Sequence, residues 1–332
     1  MKILITGGAG FIGSHTTELL VTSGHQVTVL DDLSSGSLAN LESVLDWTNV
    51  VEGDVRDDSS LNRLAAAERF DAILHLAAIC SVTEAVRFPQ LSHDVNLGGT
   101  LNVLEVAAKH DIRRVVVASS AAVYGNPDKV PCSESGPVMP LSQYGVHKVA
   151  SEHYAGAYAH MYDLETVCLR YFNVFGARQN ASSPYSSVIS LFINTLLQGK
   201  LPTIDGDGLQ TRDFVYVWDV ARANVAALFK ESLEHRVLNV GTGQEVSMID
   251  VYRLVCKLLG KEPILKFAPP RPGDIRRSCA DVRLLRKHLD GRRACTLEEG
   301  LVLSINDLMG ETAEGRRGRT PETLPMAEAM TG

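Results

Sequence analysis

The sequence predicts an α/β protein built on a doubly wound parallel sheet, and three observations lead there. Up to Arg170, short β-branched runs alternate with longer helical stretches. The runs are apolar throughout rather than alternating apolar with polar, as strands covered on both faces require. With 332 residues, 45% hydrophobic and 21% charged, the chain has ample material for a large core without disulfide or metal staples. In order, Ile3–Ile5 is the first strand, His15–Ser23 a helix and Gln26–Leu30 the second strand. Ala72–Leu76, Arg114–Ala118 and Thr166–Arg170 are the next apolar runs, with helical stretches at Leu97–Ala108 and Lys148–Tyr162. Beyond Phe175 the rhythm loosens into Pro184, Pro202, Gly206–Gly208 and Pro269–Pro272, with helices at Val188–Gln198, Asp219–Phe229 and Met248–Leu259. The apolar run Val237–Val240, closed by Gly241, has the character of the first half, so the sheet is expected to be rejoined late. This predicts a sheet-bearing domain over residues 1–175, rejoined at about 213–245, and a smaller interleaved domain over 176–212 and 246–308. No internal repeat is present. Residues 311–332, lacking apolar periodicity and carrying three arginines between Gly315 and Pro321, are expected to form a flexible tail.

Charge and cysteine usage exclude several function classes. Thirty-two basic against thirty-nine acidic residues give −7, so no global basic field favours nucleic acid or anionic lipid. Cys80, Cys132, Cys168, Cys256, Cys279 and Cys295 are scattered, with no C-x-x-C pair and no clustered histidines. They are expected to be reduced thiols in a cytoplasmic protein without a metal site. No apolar run approaches membrane-spanning length, and the first residues enter a strand at once.

The first strand runs directly into Gly7-Gly-Ala-Gly10-Phe-Ile-Gly13. There Gly7 permits a tight turn, Gly10 lets the backbone approach a pyrophosphate and Gly13 lets the helix pack closely, with phosphates at the helix N-terminus. This spacing departs from the usual G-x-G-x-x-G, and a glycine-rich turn without a ligand is the alternative. Its position after a first strand and before a helix favours a Rossmann-type dinucleotide site, as does Asp31 at the end of the second strand. A carboxylate there accepts from ribose hydroxyls and repels a 2′-phosphate, so NAD is expected rather than NADP. Asp31 and its neighbour Asp32 could instead be exposed turn acids.

The strand Arg114–Ala118 ends in Ser119-Ser120, at the carboxyl edge where open α/β sheets bind ligands. Tyr144 and Lys148, four apart, share one face of a helix. A phenol with pKa near 10 is a poor base at neutral pH, but an adjacent ammonium and a nicotinamide cation both favour the phenolate. Ser120 could hydrogen-bond the same substrate hydroxyl. The alternative is a surface helix carrying an amphipathic tyrosine.

Together these residues resemble the extended short-chain dehydrogenase/reductases of the NAD-dependent epimerase/dehydratase family, and within it the UDP-hexose and UDP-N-acetylhexosamine 4-epimerases. The likeness covers about residues 1–308: Thr6 to Gly13, Asp31-Asp-Leu-Ser34, Gly53-Asp-Val55, His75-Leu-Ala-Ala78, Asn96 before Gly98-Gly-Thr100, Ser119-Ser120 with Tyr124-Gly125, and Tyr144 with Lys148. Arg170 to Gly176, Gly206-Asp-Gly208 with Arg212-Asp-Phe214, and Arg271-Pro-Gly-Asp274 continue it. The resemblance implies that Gly7, Gly10, Phe11, Ile12, Gly13, Asp31, Asp32 and Asn96 hold NAD together with Tyr144 and Lys148. It further implies that Asp54 and Val55 hold the adenine, that Ala77 and Ala78 line the cofactor groove, and that Lys148 bridges the nicotinamide ribose. Asn173, Val188, Arg212, Arg271 and Asp274 are implied to bind the UDP-sugar. Guanidinium forks suit a diphosphate, although Arg212 could pair with Asp213 or Asp219, Arg271 could be a loop cation, and Asn173 a backbone cap.

Dehydratases of this family carry an Asp-Glu pair just after the strand-end hydroxyl residue, and decarboxylating relatives a Glu; this chain has Ala121 and Ala122. The expected catalytic set is therefore Ser120, Tyr144 and Lys148, and the expected reaction a 4-epimerisation through a 4-keto sugar. Ser278 falls where the family admits or excludes an N-acetyl group, and with the stretch 178–187 it points to UDP-GlcNAc/UDP-GalNAc, the non-acetylated pair being also open. An indifferent solvent-edge serine is the other reading of Ser278. Cys80 stands where relatives carry a positioning Lys or Ser, which leaves substrate orientation open. The alternatives are an oxidoreductase or dehydratase on another nucleotide sugar, and a non-catalytic NAD-binding regulator. Leu97–Ala108 and Lys148–Tyr162 are apolar on more than one face, which by resemblance implies a homodimer and otherwise helices buried within the monomer.

Overall fold

In the computed structural model, residues 1–179, 188–231, 236–271, 273–289 and 291–310 are described. Most of the stretch 178–187 used above, Pro272 and the expected tail at 311–332 lie outside these residues. Seven strands form one wholly parallel sheet: β1 (Lys2–Thr6), β2 (Gln26–Asp31), β3 (Thr48–Glu52), β4 (Ala72–His75), β5 (Arg114–Ser120), β6 (Glu165–Tyr171) and a late strand over Val237–Val240. The late strand is the eleventh in the chain, β11, and the sheet order is β11-β6-β5-β4-β1-β2-β3. The order reverses direction at β1, so the loops after β1 and β4 flank the crevice in which such sheets bind ligands.

The helices of this half are α1 (Phe11–Thr22), α2 (Asp58–Glu68), α3 (Val82–Arg87), α4 (Pro89–His93), α5 (Gly99–Lys109) and α6 (Gln143–Met161). Alternate strand residues feed two cores. Ile3, Ile5, Val116 and Leu169 pack with Leu20 of α1 on one face, whereas Leu4, Ile73, Val115 and Val117 pack with Leu61 of α2, Val103 of α5 and Ala155 of α6 on the other. Each fully buried aliphatic side chain contributes about 1.5–3 kcal/mol, and this double burial is why the strands read as unbroken apolar runs. Helix starts follow their caps: the Asp57 carboxylate accepts from Ser60 N–H and the Ser142 hydroxyl from Gly145 N–H.

The second half begins with β7 (Asn173–Phe175), α7 (Val188–Leu197), β8 (Ile204–Asp205), β9 (Thr211–Arg212), β10 (Phe214–Tyr216) and α8 (Val217–Phe229). It continues beyond β11 with β12 (Val246–Ser247), α9 (Met248–Leu258), β13 (Phe267–Ala268), α10 (Arg283–His288) and α11 (Leu297–Leu308). Phe175, Phe192, Phe214, Tyr252 and Leu301 form a third core in this half. Helix α8 does not belong to it alone: Val220, Ala221 and Leu228 cover the α1 face of the large sheet.

Four elements differ from expectation. β3 and α2 had no counterpart in the sequence reading, because β3 is an edge strand with no fully buried residue and α2 buries only Leu61 and Ala65. Helix α1 begins at Phe11 rather than His15, and α5 follows a π-helical turn over Asp94–Gly98.

Candidate active site

The glycine loop fits a dinucleotide for steric reasons. Gly7 has φ +72°, and a Cβ there would lie 2.7 Å from the Ala77 amide nitrogen; a Cβ on Gly13 would lie 2.1 Å from the Gly7 carbonyl oxygen. The loop is thus pressed between β4 and its own helix. Gly10 is the N-cap of α1 and brings no side-chain cap, which leaves the amides of Phe11 and Ile12 without an intrahelical acceptor, as an anionic phosphate needs. Asp31 ends β2 and is buried; its Oδ2 accepts from Ala9 N–H at 2.9 Å and its Oδ1 from Leu33 N–H at 2.9 Å. Burial pushes its carboxyl up from the usual range against those hydrogen bonds. It therefore fixes the glycine loop, with lone pairs left for ribose hydroxyls. Asp32 is exposed and accepts from Ser34 N–H at 3.0 Å, the turn-acid alternative.

Other expected cofactor residues carry out different local tasks. Asp54 is paired with Arg56 at 2.5 Å, and that guanidinium holds its carboxyl below the ordinary range. Val55 is buried against Gly99, and its carbonyl accepts from the Asn102 amide at 2.9 Å. Ala77 and Ala78, in the half-buried loop after β4, follow the cradle. The Asn96 amide is spent on that loop: Oδ1 accepts from Ile79 N–H at 2.7 Å and Nδ2 donates to the Ile79 carbonyl at 3.0 Å. In the described structure Asn96 thus positions the groove wall.

At the end of β5, Tyr144, Lys148 and Ser120 converge. The buried Tyr144 phenol is beside the Ser120 hydroxyl and the Cys80 thiol. Lys148, also buried, donates to the Ala118 carbonyl at 2.8 Å, with its ammonium 5.7 Å from the Tyr144 ring centre. Ser120 Oγ accepts from Ala122 N–H at 3.1 Å. Burial drives the phenol well above its ordinary value, with Cys80 adding to it, and burial lowers the Lys148 ammonium. In the protein alone, desolvation therefore outweighs the neighbouring cation, and the phenol is protonated at neutral pH. Ala121 and Ala122 occupy a 3-10 turn over Ala121–Tyr124 and bring no acid or base.

The expected substrate residues divide. Arg212 pairs with Asp274 at 2.5 Å and donates to the Ile275 carbonyl at 2.6 Å. Its expected alternatives Asp213 and Asp219 are engaged elsewhere, with Thr242 and Arg222 respectively. Arg271 is 71% exposed and pairs with Asp205, so the structure does not join it to Arg212. Asn173 is exposed at the start of β7, and Val188 is half-buried at the start of α7. Ser278 is 8% exposed, on a segment that bridges to Thr211 and Cys132; this excludes the solvent-edge reading.

A buried polar network next to the site escaped the sequence reading. Glu152 of α6 accepts from Ser119 Oγ at 2.5 Å and from Arg170 Nη2 at 2.7 Å. Arg170 also donates to the Tyr124 hydroxyl at 2.9 Å, which donates to Asn239 of β11 at 2.6 Å. Burial pushes Tyr124 up to about 12. The four-residue step from Lys148 to Glu152 is a signal that could have found this carboxylate. Among the described residues, no His, Cys, Asp and Glu cluster could hold a metal, and no helix is long and apolar enough to cross a membrane.

Comparison with known proteins places these features in one family. The UDP-glucose 4-epimerase of Mycolicibacterium smegmatis is 39% identical over 308 residues, covering 92% of this chain and 97% of that protein. The structure of UDP-glucose 4-epimerase with UDP-glucose from Thermotoga maritima superposes with a TM-score of 0.89 at 35% identity, covering 94% of this chain and 99% of that one. A UDP-N-acetylglucosamine 4-epimerase from Methanobrevibacter ruminantium, in complex with UDP-N-acetylmuramic acid, gives 0.88 at 33% identity, with 93% and 98% covered. The family described as NAD dependent epimerase/dehydratase matches residues 3–241. With a glycine cradle, an uncapped helix start and a Ser-Tyr-Lys group at one sheet edge, the chain belongs to the NAD-dependent epimerase/dehydratase family.

Proposed function

We propose that the chain is a 4-epimerase of UDP-hexoses working through a transient 4-keto sugar. The observation that carries this reading is the Ser120, Tyr144 and Lys148 group beside a strand end followed by two alanines. Elimination or decarboxylation needs a further acid or base there, whereas oxidation and reduction at one carbon needs, besides NAD as hydride acceptor, only a hydroxyl, a phenol and an ammonium. The names of the M. smegmatis and T. maritima relatives support the same reaction.

NAD, when bound, supplies a reversible acceptor for the hydride at C4. Tyr144, as the phenolate favoured by positive charge beside it, would take the C4 hydroxyl proton and return it to the ketone oxygen once the sugar has turned its other face. Ser120, its hydroxyl oriented by Ala122 N–H, hydrogen-bonds the same sugar oxygen. Because burial keeps the phenol protonated, positive charge beside it is essential, and Lys148 is the protein's share of that charge. Residues 1–175, rejoined at about 213–245, would hold the cofactor through the glycine loop and Asp31. Residues 176–212 and 246–308 would hold UDP, with Arg212 leaving Asp274 for the diphosphate and Asn173, Val188 and Arg271 around it.

The buried, small Ser278 supports UDP-GlcNAc/UDP-GalNAc as the preferred pair, with UDP-Glc/UDP-Gal also accepted. The test is incubation with each of the four UDP-sugars and chromatographic resolution of the C4 epimers. Interconversion without net reduced cofactor is expected. Accumulating reduced cofactor would make the protein an oxidoreductase, and loss of water a dehydratase. Ser278→Tyr is expected to lower turnover of the N-acetylated pair at least about tenfold, the effect of filling a pocket needed by a small group, and to spare the other pair.

The reading also makes the chain a homodimer through α5 and α6. Val146 and Met161 of α6 are 51% and 61% exposed, and Tyr154 between them is also exposed, an apolar face that supports a second copy as its cover.

A further inference from the structure

Three residues of α6, each four apart, meet three consecutive residues at the end of β5. Tyr144 stands beside Ser120, Lys148 donates to the Ala118 carbonyl, and Glu152 accepts from Ser119 Oγ. The third rung touches no reacting atom. Its carboxylate, 7% exposed, is held by two hydrogen bonds from Arg170, Nε at 2.8 Å and Nη2 at 2.7 Å. Arg170 continues through Tyr124 to Asn239, so β5, β6, β11 and α6 are tied at one point. Apolar side chains would hold these elements together at least as well, since burying an ion pair carries a desolvation penalty that packing avoids. What the pair adds is direction: each bond fixes an orientation, and Glu152 Oε1 carries it to Ser119, the residue next to Ser120.

Resting on the epimerase reading, we propose that Glu152 and Ser119 are positioning residues for the proton transfer. The carboxylate, clamped by Arg170, holds the end of β5 against α6, so that Ser120 and the Ala118 carbonyl set Tyr144 and Lys148 in reacting register. The titratable groups facing Lys148 are His75 of β4, Cys80 of the following loop, Tyr144, His147 and Glu152 of α6 and Cys168 of β6; Tyr144 faces Cys80 and Tyr171. Burial lowers the Lys148 ammonium, and the Glu152 carboxylate opposes that fall.

Ser119→Ala and Glu152→Gln test this, with kcat and KM followed across pH and thermal unfolding measured in parallel. Ser119→Ala is expected to keep its melting temperature and KM while kcat falls about tenfold, and Glu152→Gln to lose about 100-fold in kcat, the scale of a small misplacement of reacting groups. In Glu152→Gln the alkaline limb of kcat moves to lower pH, because Lys148 loses a supporting anion. A second readout is the ultraviolet titration of the Tyr144 phenolate in the NAD-bound chain, taken as the difference from Tyr144→Phe. It is expected to move to higher pH in Ser119→Ala. The proposal is overturned if Ser119→Ala keeps wild-type kcat and an unmoved phenolate titration, or if the loss in Glu152→Gln equals its loss of folded protein with an unchanged pH profile. Should Glu152→Gln not fold, Ser119→Ala decides. If the wild type interconverts none of the four UDP-sugars, the epimerase reading falls, and the phenolate titration still decides the positioning role.

Discussion

Tyr144 meets two opposed demands. Burial sets its phenol beside Ser120 and at the same time makes the phenolate costly. Under the proposed mechanism its hydroxyl supplies chemistry rather than packing, so Tyr144→Phe is expected to take epimerisation below detection while NAD affinity, read by a binding titration, stays within about threefold of wild type. At this scale the sequence made the grouping of candidate residues readable where a local motif marked them: the glycine loop, the Tyr144 and Lys148 step, and the strand-end Ser120. Partnerships between distant residues were not readable. Nothing local tells that Asn96 is bonded to Ile79, that Arg212 pairs with Asp274 rather than Asp213, or that Arg271 turns to Asp205. Each is decided by how folded segments approach one another.

Among the elements, β1, β4 and α5 are joined by a buried histidine. His75 Nδ1 is 2.8 Å from the Thr6 hydroxyl and Nε2 is 3.0 Å from that of Thr100. Burial first, and then the Lys148 charge, push the ring down to about 3. The neutral ring is the folded form, so its contribution is complete above the unfolded value of 6.5 and is lost as pH falls towards the folded value near 3. Stability should fall across that window with a slope of up to about 1.4 kcal/mol per pH unit from this group. His75→Asn, compared by denaturant unfolding at several pH values, should show a shallower slope, and an equal slope would remove His75 from the account. The elements themselves were legible in proportion to their burial. β1, β2, β4, β5, β6 and β11 stood out because both faces are covered. β3 and α2 did not, since an edge strand and a helix with two buried residues leave little apolar pattern.

For the whole molecule, the proposed dimer turns on the apolar face of α6. If a second copy covers Val146, Tyr154 and Met161, then Val146→Glu should halve the mass seen by light scattering during gel filtration, because an unpaired charge cannot be buried at such a surface. A wild type that elutes as a monomer would end this expectation.

The return of the chain to the sheet at β11 also bears on how the molecule is made. β6 gains its outer neighbour only from Val237–Val240, and α8, which covers one sheet face, also arrives after the second half has begun. These contacts span long stretches of chain, and such closures are slow. Until they form, a nascent polypeptide carries an open strand edge and a bare apolar face, both templates for aggregation. A chain cut after Phe175 is therefore expected to collect in the insoluble fraction on expression. A soluble, cooperatively melting fragment would show that the first half matures unaided. What reads as one continuous sheet in the finished protein is thus, during synthesis, an unfinished surface that awaits residues from beyond β10.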